Sequence, residues 1–326
     1  MPLHYESDYI IGVDIGGTKI AAGLVNTSTG EVTNSVRDIT PKDGNESILK
    51  CMGDLIEQIL KTTSVSVTGI GVGIPGFVDR EKGIALTAGN LNLENMLITD
   101  YIQERFNITS YLENDTNAGT LGEKWFGFGR GLKHFVYIAI GTGIGGGLIF
   151  DGKLYLGRGN AGEIGHMMVD PARENCSCGV PGCLEALASG TAIAKHALAR
   201  INAGGLSSLR DNLEMEKIIT AEGVVNAANA GDILAREVMK EVGCYIAYNL
   251  ISLTRLLDPE AIIIGGGVSQ AKDLLMEVIL PAIPTSAVGL KKHIEEILCF
   301  SPWSSGIVGA ASIVLECIEG KVYNIG

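Results

Sequence analysis

Four side chains in one short stretch have the types and spacing of a metal site. In "HMMVDPARENCSCGVPGCLE", His166 is followed by Cys176, Cys178 and Cys183. Thiolate sulfur and imidazole nitrogen suit tetrahedral Zn²⁺, and three cysteines with one histidine close such a site. The chain has 7 cysteines in all, an odd count, with three of them bunched beside a histidine. In a reducing compartment that arrangement argues for a metal over disulfides. The other readings are three unrelated thiols in a surface loop, or a C-x-C redox pair. A closed site leaves no open coordination position, so its task would be to shape the loop. Two carboxylates sit beside it, Glu163 before His166 and Glu185 after Cys183. Held by a rigid loop, they would accept hydrogen bonds from a polyol; the alternative is a solvated pair.

A second group of residues could handle a polyphosphate. In "GVDIGGTK", Asp14 precedes Gly16, Gly17, Thr18 and Lys19. Gly12 and Gly17 are spaced as in a P-loop, yet Thr18 stands where the lysine belongs. The following "IAAGLV" reads as strand, so phosphate would lie at the bend of a β-hairpin. Backbone N–H groups, Thr18 and Lys19 would supply donors, and Asp14 a hard oxygen for Mg²⁺ or its waters. A tight hairpin with a capping aspartate is the alternative. A similar turn, Gly141, Thr142 and Gly143, occurs in the second half. Two segments match G-x-G-x-x-G, at Gly71 to Gly76 and Gly141 to Gly146, but neither opens a clear helix. Neither therefore supports a dinucleotide site.

A third candidate is Asp115 in "YLENDTNAG". It follows a short strand and precedes a helix, the strand-end position where ligand chemistry gathers in α/β domains. Phosphoryl transfer to an alcohol needs a group that accepts the hydroxyl proton and aligns the attack. Asp115 could do this with Asn114 anchoring the acceptor; the alternative is that Asp115 caps the helix.

These residues need elements to position them. "YIIGVDIGGTKIAAGLVNTSTGEV" reads as strand, glycine turn, strand and hairpin turn, with a third strand from about Glu31 to Asp38. "NESILKCMGDLIEQILKTT" has helical spacing, with Asn45 or Ser47 able to cap it. A buried strand in "TGIGVGIPGFVD", a helix from Leu97 to Phe106 and a strand from Thr109 to Glu113 complete this half. "HFVYIAIGTGIGGGLIFDGKLYLG" repeats the opening. Helices follow at Leu184 to Ile201 and Ile233 to Leu257. A strand at Ala261 to Ile264 runs into Gly265, Gly266 and Gly267, and the last helix spans Gly306 to Glu319. The expected fold class is α/β, a duplicated β-β-β-α-β-α-β-α core with mixed sheets. The expected domains are 1–117 with 306–326, and a larger one, 118–305, bearing the metal loop.

Composition limits the partners. The net charge of −12 argues against nucleic acid, whose phosphates need a basic face. Apolar residues make up 46 % and charged residues 19 %, as in a soluble globular protein. The apolar run near Phe135 to Phe150 is too short and glycine-rich to span a membrane. The N-terminus shows no export signal, so a cytoplasmic location is expected. The 44 glycines are about twice the usual share of roughly 7 %, as several tight backbone loops require.

Taken together, "GVDIGGTKIAAGLV", "GVGIPGFVD", "ENDTNAG", "GTGIGGG", "AGEIGHMMVD", "CSCGVPGCLE" and "IIIGGGVS" resemble the ROK family (repressor, open reading frame, kinase) over nearly the whole chain. The resemblance is greatest to its bacterial ATP-dependent glucokinases. It implies a two-domain actin-like, ribonuclease H-like ATPase fold and phosphorylation of a hexose, foremost glucose, at the 6-hydroxyl. It implies ATP with Mg²⁺, a structural Zn²⁺, and a homo-oligomer, dimer or tetramer. By resemblance, Asp115 is the catalytic base; Gly76, Asn90, Asn114, Glu163, His166 and Glu185 join it in binding sugar. His166 would use one ring nitrogen for zinc and the other for a hydroxyl. Asp14, Gly16, Gly17, Thr18, Lys19, Gly141, Thr142 and Gly143 would line the phosphates, and Gly265, Gly266 and Gly267 the nucleoside. One position departs from the pattern: Leu93 stands where such glucokinases often carry tryptophan. Alternatives within the class are kinases of N-acetylmannosamine or another hexose. The alternative outside it is a sugar-sensing repressor, disfavoured because such repressors carry a DNA-binding domain ahead of the core. Only about nine residues precede the first core strand here.

Overall fold

A computed structural model describes residues 9–89, 91–210, 218–287, 289–301 and 306–319. Asn90, expected near the sugar, lies outside them.

The chain opens with β1 (Tyr9–Ile15), β2 (Lys19–Asn26) and β3 (Val32–Ile39), then α1 (Asn45–Thr62) and β4 (Val67–Ile74). β1 and β2 are apolar on both faces, as strands covered on both sides must be. A small meander follows, β5 (Phe77–Asp79), β6 (Ile84–Ala88) and β7 (Leu93–Leu97). α2 (Ile98–Phe106), β8 (Ser110–Asn114) and α3 (Asp115–Phe126) end this half. The second half brings β9 (Phe135–Ile140), β10 (Ile144–Phe150) and β11 (Lys153–Leu154), then the cysteine loop. After it come α4 (Leu184–Ala188), α5 (Gly190–Asn202), α6 (Ala221–Asn229), α7 (Ile233–Leu257) and β12 (Ala261–Gly265). α8 (Lys272–Ala282), α9 (Leu290–Ile297), β13 (Leu298–Phe300) and α10 (Ile307–Ile318) close the described chain.

The two large sheets have the same order, β3-β2-β1-β4-β8 and β11-β10-β9-β12-β13. In the first, β1 pairs antiparallel with β2 and parallel with β4, which pairs parallel with β8. In the second, β9 pairs parallel with β12, and β12 with β13. This is the duplication the repeated strand-turn-strand segments announce. The parallel pairs bring strand C-termini to one edge of each sheet: Asp14 aligns with Gly73, Ile74 with Asn114, and Ala139 with Gly265.

Two compact units form. One holds the chain through Leu132, the segment Ile149–Leu154 and the C-terminal helix; the other holds residues 133–148 and 155–304. The division therefore falls after α3, not near residue 117. α3 stays with the first unit because Gly122 on it faces Gly309 on α10, where a Cβ would sit only 3.1 Å from the Gly309 Cα. α10 is pressed equally hard onto the sheet. A Cβ at Gly12 or Gly71 would stand 2.0 Å from the Ile307 carbonyl or 1.9 Å from that of Ala310. Glycine at these points is what lets helix backbone rest on strand backbone.

Three local expectations change. The β5–β7 meander is an addition to the expected core. α1 is not capped by a side chain; the Asn45 amide instead donates to the Glu94 carbonyl at 2.7 Å. The helix expected from Leu184 to Ile201 breaks at Ser189, whose hydroxyl caps α5 by accepting from the Ala192 amide at 3.2 Å. Among the described residues no helix is long and apolar enough to cross a membrane.

Candidate functional site

In the first unit, β8 delivers Asn114 and Asp115 to the head of α3. The cap is Asn114, not Asp115. Its side-chain oxygen accepts from the amides of Thr116 at 2.9 Å and Asn117 at 3.2 Å. Its amide group donates to the Gly76 carbonyl at 3.1 Å, tying the β4–β5 turn to the helix. Gly76 has φ of 87°, and a Cβ there would meet the Thr87 carbonyl at 2.1 Å, so the turn demands glycine. With capping assigned to Asn114, Asp115 occupies the first helical position and accepts from the Thr116 amide at 2.8 Å.

Beneath this pair lies an ion pair that sequence reasoning missed. Glu113 is buried and accepts from Arg80 Nη2 at 2.7 Å, from the Asn114 amide at 2.7 Å and from Asn117 Nδ2 at 3.1 Å. Those three bonds fall on Oε1, and Arg80 Nε donates to Oε2, so the buried pair leaves neither oxygen unsatisfied. Its sequence signal was a glutamate closing an apolar strand; Arg80 carried none.

Asp14 ends β1 close enough to Asp115 for their charges to interact. Burial pushes the Asp14 carboxyl up to about 6, and the Asp115 charge adds to the rise. Lys19 and the Gly306 amide, which donates to Asp14 ahead of α10, oppose it. Two carboxylates in such a place invite a cation. The turn after Asp14 is firmly built. The Gly16 amide donates to the Lys19 carbonyl at 2.9 Å, the Thr40 amide to Thr18 at 3.1 Å and the Thr40 hydroxyl to Gly16 at 2.6 Å. Lys42 Nζ donates to the Gly17 carbonyl. "IAAGLV" is strand, so the P-loop reading fails as expected. The departure at Leu93 is buried in this unit's core.

In the second unit, His166, Cys176, Cys178 and Cys183 converge, with their ligand atoms all within 4.8 Å of one another. Cys178 and Cys183 sulfurs are 3.6 Å apart, and His166 Nδ1 is 3.5 Å from Cys176 Sγ. Zn–S bonds of about 2.3 Å and Zn–N bonds of about 2.0 Å set tetrahedral edges near 3.5–3.8 Å, so the residues fit the ion. Burial pushes the Cys183 thiol up to about 12, while the Val180 amide lowers Cys178. Bound zinc would hold both as thiolates. The loop is shaped by Gly179 and Gly182, at φ of 88° and 67°. Arg173 and Arg200 both clamp Glu241 of α7, each at 2.6 Å. His166 Nε2, the ring nitrogen not turned to Cys176, lies 3.9 Å from the exposed Glu163 carboxylate.

Glu185, in the first turn of α4, reaches the glycine turn. Its Oε2 accepts from the Ile144 amide at 2.8 Å. The other side of that turn is fixed to α5: the Gly190 amide donates to Gly141 at 2.7 Å, and the Thr191 hydroxyl to Thr142 at 2.8 Å. Beside it, β12 ends in Gly265, packed against Tyr137, and Gly266, whose φ of 81° brings it against the Ile140 backbone. A Cβ at Gly267 would meet nothing within 4 Å. Thus the structure groups Asp14, Gly16–Lys19, Gly76, Asn114 and Asp115 in one unit. The other holds Gly141–Gly143, Glu163, His166, Glu185, the cysteines and Gly265–Gly267.

The ROK family matches residues 10–317. The chain belongs to the ROK family. A glucokinase of Thermotoga maritima is 35 % identical over 95 % of this chain and 98 % of its own length. A xylose repressor of Caldicellulosiruptor bescii is 33 % identical over 84 % of this chain and 69 % of its own length. A crystal structure of a ROK family glucokinase from Streptomyces griseus, in complex with glucose and AMPPNP, superposes with a TM-score of 0.79. It is 32 % identical over 94 % of this chain and 98 % of that one. The ROK chain described here has the actin-like ATPase fold of those sugar kinases, with the duplicated sheets as its core.

Proposed function

We propose that this ROK protein is an ATP-dependent hexose kinase that phosphorylates glucose at its 6-hydroxyl. The observation that carries the reading is Asp115. It is released from capping by Asn114, pinned at the head of α3, and close enough to Asp14 to raise that carboxyl. A carboxylate so held can accept the hydroxyl proton as the oxygen attacks phosphorus. Asn114 and Gly76 orient the acceptor. Glu163, Nε2 of His166 and Glu185 take other hydroxyls. The hairpin after Asp14 and the turn at Gly141–Gly143 donate backbone N–H groups to phosphate, and Gly265–Gly267 leave room for the nucleoside. Mg²⁺ arrives with ATP, and Asp14 offers it or its waters an oxygen. Zn²⁺ on His166, Cys176, Cys178 and Cys183 supplies rigidity to the sugar-binding loop.

Full-length similarity to glucokinases supports the kinase reading, and the glucose and AMPPNP bound to the Streptomyces griseus relative support the substrates. The xylose repressors in the family support a second reading, sugar sensing without transfer. NMR of the product formed from glucose and MgATP separates them. A phosphate ester on O6 is expected. An ester elsewhere overturns the regiochemistry, and glucose bound but unchanged favours the sensor.

A further inference from the structure

Glu185 is assigned above to the sugar, yet its carboxylate is already engaged with the glycine turn assigned to phosphate. Oε2 accepts from the Ile144 amide at 2.8 Å, and a Cβ on Gly143 would stand 2.4 Å from that same oxygen. Among the described residues Oε1 has no hydrogen-bond partner. The residue preceding α4 is Cys183, one of the four zinc-site residues, and the Leu184 amide donates to Met167 at 2.9 Å. The backbone before Glu185 is thus anchored in the cysteine loop, while the carboxylate reaches the turn through Oε2 alone.

We propose that Glu185 is a relay through which hexose and nucleotide bind cooperatively, a positioning role that rests on the kinase reading. A sugar hydroxyl donating to Oε1 holds the carboxylate in the rotamer whose Oε2 holds Ile144. The turn is then ordered before a polyphosphate arrives, so the nucleotide spends less of its binding free energy on ordering it. By linkage, nucleotide tightens hexose by the same factor. The absence of a side chain at Gly143 is what permits the contact.

The test is titration of the zinc-loaded full chain with MgAMPPNP, with and without saturating glucose. Native protein should bind the nucleotide at least about fivefold more tightly with sugar. Glu185→Ala should bind it about tenfold more weakly without sugar, since a charge-assisted bond is lost, and glucose should no longer change that affinity. Glu185→Gln, whose amide oxygen still accepts from Ile144, should recover most of the sugar-free affinity. If the alanine variant does not fold, the Ile144 amide resonance decides: it should shift when glucose alone is added to native protein. Native-like nucleotide affinity in Glu185→Ala, no effect of glucose on the native affinity, or an unmoved Ile144 resonance overturns the relay and leaves the kinase reading standing. No nucleotide binding by native protein overturns both.

Discussion

At the scale of the residue, the proposed chemistry rests on how Asp115 and Asp14 are held. Asn114 takes the capping role and spares Asp115, while Glu113 and Arg80 fix the strand end beneath. Asp115→Asn keeps the shape and removes the proton acceptor. Turnover should fall about 10²–10⁴-fold with glucose affinity little changed, as calorimetry would show; near-native turnover would remove Asp115 from its role. Asp14 gives a pH signature. Its carboxyl is raised in the folded chain from 3.8 to about 6, so the folded state holds the proton more tightly than the unfolded state. The stability this contributes is present below about pH 4 and lost as pH rises through about 6. Asp14→Asn, which cannot ionise, should match native protein near pH 4 and gain up to about 3 kcal/mol by pH 7–8. Melting both across that range checks it; an advantage that does not grow with pH contradicts the assignment. The types and spacing of Asp14, Asp115 and the convergent His166, Cys176, Cys178 and Cys183 were legible because local sequence carries them. Arg80 with Glu113 was not, because a pair separated by a meander leaves no local pattern.

At the scale of the element, the role proposed for the cysteine loop is to orient Glu163, His166 and Glu185. Cys178→Ser should lose about one zinc per chain by elemental analysis and weaken glucose binding about tenfold or more. Zinc-free native protein with full affinity would contradict this. The strand-turn-strand openings were readable because apolar runs broken by glycine turns are unambiguous. The β5–β7 meander was not: its strands are three and five residues long and half-exposed. The end of the first unit was also hidden. Contacts across the chain assign α3 to its neighbours: Gly122 meets Gly309, and Lys124 and Trp125 bond Glu316.

At the scale of the whole molecule, two sheets of identical strand order carry candidate site residues at the C-terminal ends of their strands, Asp14 and Asn114 on one and Gly265 on the other. The acidic balance of −12 suits a small-molecule enzyme over a nucleic-acid binder. Discrimination among hexoses rests on pocket shape and a few hydrogen bonds, which motif spacing does not record. The most direct measurement is therefore ADP release from MgATP against glucose, mannose, fructose, N-acetylglucosamine and N-acetylmannosamine. The account expects sugar-dependent release, greatest with glucose. Release greatest with another hexose would move the substrate and keep the kinase. Sugar binding with no release on any of the five would contradict the account.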